Sequence, residues 1–346
     1  MSIKTASSSI AHQARAHQNS LTKPTGSLGR LEDIACWFAA RQGKVIPDLL
    51  NPHITVFAAD HGVTAEGISA FPSVVTGEMV KNFATGGAAI NVLAKQINAS
   101  LHIVDVGVLV DTSNIQGVTQ AKTQTGTANI LYEAAMSDAA CQRAIQAGKK
   151  EASLAITQGK NLLIAGDMGI GNTTASAALI CLFSKATPEQ VVGKGTGIDA
   201  KTHAHKMHIV QQIIHRVTTQ NTPQEYFLRE VGGFEIAAMA GFYLEAAEQG
   251  VPIIIDGFIS AAAALAAQLI APDVHQWMLA SHLSEENGHH LALQYLSLEP
   301  LLDFHMRLGE GSGAALITPL LQSAIALHQN MATFASASIS EKTSDT

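Results

Sequence analysis

Four short apolar runs, each closed by aspartate or glycine, are the feature that most constrains the fold of this chain. The runs occupy residues 53–59, 101–104, 162–165 and 251–255. Uninterrupted apolar runs of this length are typical of strands that are buried on both faces, as in a parallel sheet. Helical patterns alternate with them, at residues 77–95, 133–158, 233–249 and 260–270. The alternation predicts an α/β fold of the Rossmann-like, doubly wound class, with a mostly parallel sheet flanked by helices.

The two ends of the chain differ from its middle because their patterns are helical and no strand-like run interrupts them. These patterns cover residues 8–20, 29–43, 287–297 and 313–335. We expect residues 1–45 and 287–335 to form a small helical subdomain that rests on a sheet domain of residues 46–286. The polar segment 336–346 is expected to be a disordered tail.

Composition narrows the possible functions. Hydrophobic residues make up 47% of the 346 residues, enough for a sizeable core, and the formal net charge is −7. A negative balance argues against nucleic-acid binding, which favours basic surfaces. No uninterrupted apolar run reaches about 18 residues and the N-terminal residues lack a signal-peptide core, so neither a membrane span nor secretion is expected. Three scattered cysteines, Cys36, Cys141 and Cys181, predict reduced thiols in a cytoplasmic protein.

Acidic residues stand at or next to the ends of the apolar runs. They are Asp60, Asp105, Asp167 and Asp256. In a doubly wound sheet, ligands bind beyond the carboxyl ends of the strands, so these carboxylates are expected at the site. The alternative is that aspartate and glycine only form turns at these places.

The segment 166–174, GDMGIGNTT, is the best candidate for a phosphate-binding turn. It follows a predicted strand, and its Asn-Thr-Thr ending caps an alanine-rich helix. Bare glycine backbone and the positive end of a helix dipole favour an anion. The segment lacks the ending of a Walker A loop and the glycine order of the dinucleotide fingerprint. It therefore predicts a phosphorylated small molecule as ligand, with a plain helix start as the alternative.

Two charged side chains are candidates for chemistry at that site. Lys206 lies four residues before Val210 on an apolar helix stripe, where we expect it either to pair with a phosphate or to extend toward solvent. Glu310 is flanked by Gly309 and Gly311 just before a helix. We expect it either to act as a general base that is partly shielded from water or only to stabilise the helix start.

The 15 histidines do not form a recognisable metal motif. No HExxH occurs, and His203 and His205 cannot share a helix face. We therefore expect solvated histidines and no metal site. His61 lies at the end of a predicted strand, without a partner that the sequence identifies.

Seven motifs, in order along the chain, resemble those of the nicotinate-nucleotide–dimethylbenzimidazole phosphoribosyltransferase family, which makes the lower-ligand nucleotide of cobalamin. They are KPTGSLGRLE at 23–32, ADHGV at 59–63, DVGV at 105–108, GDMGIGNTT at 166–174, VGGFE at 231–235, DGFIS at 256–260 and MRLGEGSGAAL at 306–316. They cover nearly the whole chain, and the combination of GDMGIGNTT with MRLGEGSGAAL is highly specific.

The resemblance implies that the 5-phosphoribosyl group of nicotinate mononucleotide moves to 5,6-dimethylbenzimidazole with inversion at the anomeric carbon. The products are α-ribazole 5′-phosphate and nicotinate. The resemblance also implies Glu310 as the catalytic base, Lys206 as a partner of the phosphate, a homodimer, and no metal or other cofactor. The other substrate-binding residues that it implies are Asp167, Met168, Gly169, Ile170, Gly171, Asn172, Thr173, Leu308, Phe71 and Met79.

Two other functions compete with this interpretation. A dinucleotide-binding dehydrogenase needs a glycine fingerprint after the first strand and an acid about 20 residues later, and residues 54–62 do not provide the fingerprint. A non-catalytic binder of a phosphorylated nucleotide has no need of Glu310, which is present with its glycines. We therefore expect an active enzyme.

Overall fold

The structure of the protein is a computed structural model that describes residues 2–195 and 197–340. Its strands are β1 (Pro52–Ala59), β2 (Ser100–Gly107), β3 (Val118–Gln120), β4 (Leu162–Met168), β5 (Ile253–Ile255), β6 (Met278–Ala280), β7 (His282–Ser284) and β8 (Leu302–Met306). Its α-helices are α1 (Ser8–Ser20), α2 (Arg30–Gln42), α3 (Val74–Thr85), α4 (Ala89–Gln96), α5 (Asp138–Thr157), α6 (Asn172–Ser184), α7 (Pro188–Val191), α8 (Ala200–Thr219), α9 (Phe227–Val231), α10 (Phe234–Gln249), α11 (Phe258–Ile270), α12 (His289–Tyr295), α13 (Ser312–Asn330) and α14 (Phe334–Ala337).

The first six strands form one sheet in the order β3-β2-β1-β4-β5-β6, and each neighbouring pair is parallel. This is the strand order of the Rossmann fold, so the predicted fold class is confirmed. Three of the four apolar runs lie within β1, β2 and β4. The fourth run, residues 251–255, consists of β5 and the two residues before it.

Alternate residues of the strands face two separate apolar cores. Phe57 and Leu163 belong to the core that includes α5, α6, α10 and α11. Val56 and Ile164 belong to the core that includes α2, α3, α4 and α13. Because helices cover both faces of the sheet, most strand residues on either face are apolar, which explains the long apolar runs.

The order of connection changes between β1 and β4, which are neighbours in the sheet. Phe57 pairs with Asp167 and Ala58 pairs with Met168. The helices after β1, α3 and α4, lie on one face of the sheet, whereas α6, which follows β4, lies on the other. Connections that leave in opposite directions open a crevice at the carboxyl ends of these two strands.

Helices from both ends of the chain lie together. α2 packs against α1 and α13, and Leu21 forms an isolated antiparallel bridge with Thr333. Phe38 of α2 and Leu321 of α13 also belong to the same apolar core as β1 and β4. The division into a terminal subdomain of residues 1–45 and 287–335 and a sheet domain of residues 46–286 stays a prediction.

Two details of the predicted elements are wrong. Residues 302–306 form β8, which pairs in parallel with β7, although no strand was expected between the C-terminal helical patterns. The residues of β8 are exposed or half-buried, so the strand lacks the continuous apolar run that identifies the central strands. The helical pattern at 77–95 is divided into α3 and α4 because Gly86, with φ of +86°, ends the first helix.

Part of the expected disordered tail, residues 341–346, lies outside the described residues, and α14 reaches Ala337 before it. Disorder in the segment 336–346 stays a prediction. Among the helices of residues 2–195 and 197–340, none has the length and apolar character needed to cross a membrane.

Candidate active site

A cavity of about 380 Å³ lies beside the carboxyl ends of β4 and β5. The predicted site residues that line it are Phe71, Met79, Asp167, Met168, Gly169, Ile170, Asn172, Thr173, Leu308 and Glu310. A smaller adjoining cavity of about 30 Å³ shares Gly169 and Thr173 with it, and Gly171 and Lys206 line it as well. The structure therefore brings every residue of the predicted site to one crevice.

The turn between β4 and α6 depends on glycine. A Cβ on Gly169 would lie 2.5 Å from the carbonyl oxygen of Ala59, and Gly171 has a φ of +97°. These two positions let the chain turn sharply and start α6. The Ile170 N–H donates to the Thr76 hydroxyl at 3.1 Å, which ties the turn to α3. The turn thus presents the N-terminus of a 13-residue helix to the smaller cavity, where its dipole favours an anion.

Lys206 of α8 directs its ammonium group toward the same turn. Its Nζ donates to Thr173 Oγ1 at 2.8 Å, and only 2% of the residue is exposed. Burial lowers the pKa of Lys206 to about 8, and the negative charge of Glu286 opposes this shift. The ammonium group does not reach solvent, which argues against the alternative of a solvated lysine at a helix start.

Glu310 lies in the middle of three consecutive residues with left-handed backbone. The φ values are +84° at Gly309, +64° at Glu310 and +85° at Gly311. Glycine adopts this region freely, whereas glutamate needs surrounding contacts to hold it there. Glu310 Oε2 accepts a hydrogen bond of 3.2 Å from the Ile90 N–H at the start of α4. The side chain is therefore held at one oxygen while it lines the larger cavity.

The surroundings of Glu310 make its carboxylate more basic than usual. Burial raises the pKa of Glu310 above its ordinary value of 4.5, the hydrogen bond from Ile90 opposes the rise, and the negative charge of Asp256 adds to it. A carboxylate with a raised pKa accepts a proton more readily, which suits a general base.

The carboxylate of Asp256, directly after β5, holds the Glu310 loop in place. It accepts hydrogen bonds from the N–H groups of Gly311, at 3.2 Å, and Ala314, at 2.9 Å. It therefore acts as a cap for the N-terminus of α13. From the other side, a Cβ on Gly166 of β4 would lie 2.2 Å from the Glu310 carbonyl oxygen. The loop consequently packs directly on bare strand backbone.

Asp167, the carboxylate that ends β4, is fully enclosed by the site. Burial raises the pKa of Asp167 well above its ordinary value, and the negative charges of Asp256, Glu235 and Glu310 act in the same direction. A hydrogen bond of 2.9 Å from Asn172 Nδ2 opposes the shift. Burial and the neighbouring carboxylates thus oppose a further negative charge at Asp167.

The walls of the larger cavity differ in polarity. Phe71, Val75 and Met79 come from α3 and the segment before it, and Leu308 comes from the loop before α13. These side chains form an apolar wall that suits a flat aromatic ligand. A polar strip of alternate residues also lines the cavity, at His282, Ser284 and Glu286.

A buried pair beneath the turn was not found by sequence reasoning. His61 Nε2 and Glu235 Oε1 lie 2.6 Å apart, across 174 residues of chain, and both side chains are fully buried. Gly169 packs on both of them, since its Cβ would lie 3.3 Å from His61 Nε2 and 3.2 Å from Glu235 Oε1. Burial lowers the pKa of His61, but the Glu235 carboxylate and Asp60 outweigh it and raise the pKa above the ordinary value. The hydrogen-bonded pair thus supports the turn from below.

The described residues, 2–195 and 197–340, contain no group of three or more histidine, cysteine, aspartate or glutamate side chains that could hold a metal ion. His203 Nε2 and His205 Nε2 instead lie at hydrogen-bond distance from the carbonyl oxygens of Val192 and Glu66.

Known proteins of one family match this chain over nearly its whole length, including the residues of the site. A family model described as "Phosphoribosyltransferase" matches residues 3–339. A protein of Chromobacterium violaceum named nicotinate-nucleotide–dimethylbenzimidazole phosphoribosyltransferase is 57% identical over 334 residues, which are 96% of this chain and 97% of the relative. A protein of the same name from Xanthomonas campestris is 48% identical over 328 residues, 95% of this chain and 94% of the relative.

A solved structure of similar sequence has the same fold. A crystal structure of the nicotinate-nucleotide–dimethylbenzimidazole phosphoribosyltransferase of Thermus thermophilus superimposes on this chain with a TM-score of 0.92 at 42% sequence identity. The match covers 97% of this chain and all of that one.

Replacement of Gly166 by alanine is expected to destabilise the protein by about 1–3 kcal/mol, because the new methyl group must displace the Glu310 loop. Thermal or denaturant unfolding measures the loss. Gly257, at the end of the neighbouring strand, is the matched control, since the nearest atom to its Cβ would lie 3.7 Å away. Equal stability of the two alanine variants would show that the Glu310 loop does not pack tightly on β4.

Proposed function

This chain belongs to the nicotinate-nucleotide–dimethylbenzimidazole phosphoribosyltransferase family, and we propose that it transfers the 5-phosphoribosyl group of nicotinate mononucleotide to 5,6-dimethylbenzimidazole. The products are α-ribazole 5′-phosphate and nicotinate. The family match over residues 3–339 and the names of the relatives support this function. The main structural support for this function is that Glu310 and the turn at 169–173 line a single cavity.

The 5′-phosphate binds at the smaller cavity. The start of α6, the Thr173 hydroxyl and the Lys206 ammonium group converge there, so an anion receives both N–H donors and a positive charge. This group is remote from the bond that breaks. Its binding energy therefore serves to orient the ribose toward Glu310.

The benzimidazole binds against the apolar wall. Phe71, Met79 and Leu308 offer the flat, apolar contacts that an aromatic base needs, and Phe71 and Leu308 are 48% and 57% exposed without a ligand. Burial of this exposed apolar surface favours binding of the base.

The transfer is a displacement at the anomeric carbon. One benzimidazole nitrogen forms a bond to this carbon while the bond to the nicotinate ring nitrogen breaks, and the electron pair leaves with nicotinate. Attack from the face opposite the leaving group turns the β-nucleotide into an α-nucleotide. Glu310 takes the proton from the other benzimidazole nitrogen, which leaves the product base neutral.

Negative charge near the ribose favours this step because the sugar becomes positively charged in the transition state. Glu310 supplies such a charge before it accepts the proton, and Asp256 lies directly behind its loop. Asp167 also lines the cavity, but burial and its acidic neighbours raise its pKa and so weaken its contribution as an anion.

The two competing functions fit less well. β1 continues into Asp60, His61 and a 3-10 helix at Gly62–Glu66, whereas a dinucleotide site needs a glycine-rich turn and a long helix there. A non-catalytic binder does not explain a glutamate that is held in strained backbone at the cavity with a raised pKa.

We further propose that the enzyme is a cytoplasmic homodimer. Leu316 and Leu320, one turn apart on α13, are exposed, as is Val92 of α4, a helix that packs against α13. Exposed apolar side chains of this kind suit contact with a second copy. Sedimentation velocity is expected to give twice the mass of one chain, and a monomer at micromolar concentration would contradict the dimer.

Replacement of Glu310 by glutamine is expected to lower kcat about 10²–10⁴-fold, because the amide cannot accept the proton. The assay mixes protein, nicotinate mononucleotide and dimethylbenzimidazole and quantifies α-ribazole 5′-phosphate by mass spectrometry. The control Glu299→Gln removes a carboxylate whose side chain is 81% exposed, and it should keep native kcat. Near-native kcat in Glu310→Gln would exclude Glu310 as the base, and a native protein without product would contradict the function.

The same assay has an expected pH dependence. Glu310 must be ionised to act, and its pKa is raised above 4.5, so the acid limb of kcat/KM of the native enzyme should have its midpoint above pH 4.5. A midpoint at or below pH 4.5 would contradict the raised pKa.

Replacement of Lys206 by glutamine is expected to raise KM for nicotinate mononucleotide about 10–100-fold with a smaller effect on kcat, because a hydrogen bond to a charged group contributes about 1.5–3 kcal/mol. In the native enzyme, KM should also rise as the pH increases through about 8, where Lys206 loses its proton. The variant should lack that rise. Lys201→Gln, on the exposed side of the same helix, is the control, and an unchanged KM in Lys206→Gln would place the phosphate elsewhere.

A further inference from the structure

We infer that Glu286 accepts hydrogen bonds from the ribose hydroxyl groups of the nucleotide and thereby selects ribose over deoxyribose. The inference rests on the proposed function, because it takes nicotinate mononucleotide as the ligand. Glu286 follows β7 and lines the same cavity as Glu310 and Thr173. Glu286 lies outside the seven sequence motifs and is not one of the site residues predicted from the sequence.

Glu286 lies near the part of the cavity where we expect the phosphate of the nucleotide. It packs against Gly193, whose Cβ would lie 2.1 Å from Glu286 Oε2. Two residues farther, Gly195 lies next to Lys206, since its Cβ would be 3.4 Å from Nζ. Glu286 therefore borders the phosphate end of the cavity. The ribose carries the phosphate at one end and the reacting anomeric carbon at the other. Because Glu286 lines the same cavity as Glu310, we expect the sugar to lie beside this side chain.

The carboxylate of Glu286 has unused capacity to accept hydrogen bonds. Only 7% of the residue is exposed, and no donor within residues 2–195 and 197–340 reaches its Oε2. Asp256, by contrast, is satisfied by two backbone N–H groups. Oδ1 of Asp60 and Oε2 of Glu235 also lack a donor in the described part of the chain, but neither residue lines the cavity, whereas Glu286 does. A buried charged acceptor without a donor is unfavourable and uncommon, so a ligand is the natural source of the missing donor.

A vicinal diol matches this acceptor. The 2′- and 3′-hydroxyl groups of ribose present two O–H donors side by side, and even one carboxylate oxygen has two lone pairs that can accept them. Acidic side chains bind the ribose hydroxyl in the same way in dinucleotide-binding members of this fold class. The apolar wall of Phe71 and Met79 offers no comparable acceptor, so the sugar is expected to turn its hydroxyl edge toward Glu286.

A role as counter-ion of Lys206 is the competing explanation. The Lys206 ammonium group donates to Thr173 Oγ1, and its contact with Glu286 is through charge alone. The two roles differ in what they predict for the substrate. A counter-ion affects every nucleotide with a 5′-phosphate equally, whereas a hydroxyl acceptor affects only nucleotides that carry the hydroxyl.

The experiment measures kcat/KM of the native enzyme and of Glu286→Gln with nicotinate mononucleotide and with its 2′-deoxy and 3′-deoxy analogues. The native enzyme is expected to prefer the ribonucleotide about 10²-fold over at least one analogue, as for a lost hydrogen bond to a charged group. In Glu286→Gln, kcat/KM should fall for the ribonucleotide and change little for that analogue, so that the preference drops about tenfold or more. Differences in the intrinsic reactivity of the sugars cancel, because both proteins are compared on the same substrates.

The neighbouring Glu285→Gln is the matched control, since its side chain is 46% exposed and contacts His305 outside the cavity. It should keep the native preference. An equal fall for all three nucleotides in Glu286→Gln, or an unchanged preference, would overturn the role of Glu286 and leave the transferase function intact. If the native enzyme does not convert nicotinate mononucleotide at all, the proposed function fails, and this inference fails with it. Melting temperatures of the variants confirm that each protein is folded in the assay.

Discussion

The position of the Glu310 carboxylate depends on how its backbone loop is clamped between two strands. A glutamate with a φ of +64° is strained by about 1–3 kcal/mol, so the conformation persists only if neighbours hold it. Asp256 after β5 binds the loop through the N–H groups of Gly311 and Ala314, and Gly166 of β4 leaves room for the loop to lie on the strand. The proposed general base is thus positioned by contacts with two adjacent strands, which is the precision that catalysis requires.

The strand order explains why one crevice holds both halves of the chemistry. β1 and β4 are neighbours whose following helices cover opposite faces, so the ends of these strands are free of covering backbone. The turn after β4 supplies the proposed anion site, and Asp256 after β5 anchors the loop of the proposed base. His61 and Glu235 support the turn from beneath, since Gly169 packs directly on the pair. The proposed base and the proposed anion-binding turn therefore both rest on strand ends.

Much of this arrangement could be predicted from the sequence because the signals are local. The apolar runs identify β1, β2, β4 and β5, and the glycines around Glu310 and in the segment 166–174 mark the turns. The short pair β7 and β8 could not be found, because β7 has only three residues, two of them polar, and the five residues of β8 are exposed or half-buried, so neither carries an apolar run. The pairing of His61 with Glu235 joins residues 174 positions apart, and a single sequence holds no signal for such a contact. Glu286 was missed for the same reason, since only the fold brings it to the cavity.

The most direct test of the account is the crystal structure of the enzyme with α-ribazole 5′-phosphate bound. The measured quantity is the distance from the Glu310 carboxylate to the benzimidazole nitrogen that is not bonded to the ribose. The account predicts a hydrogen-bond distance of about 2.6–3.2 Å, with the phosphate beside Lys206 and Thr173 in the same complex. A product whose base lies away from Glu310, or whose phosphate lies outside the turn at 169–173, would contradict it.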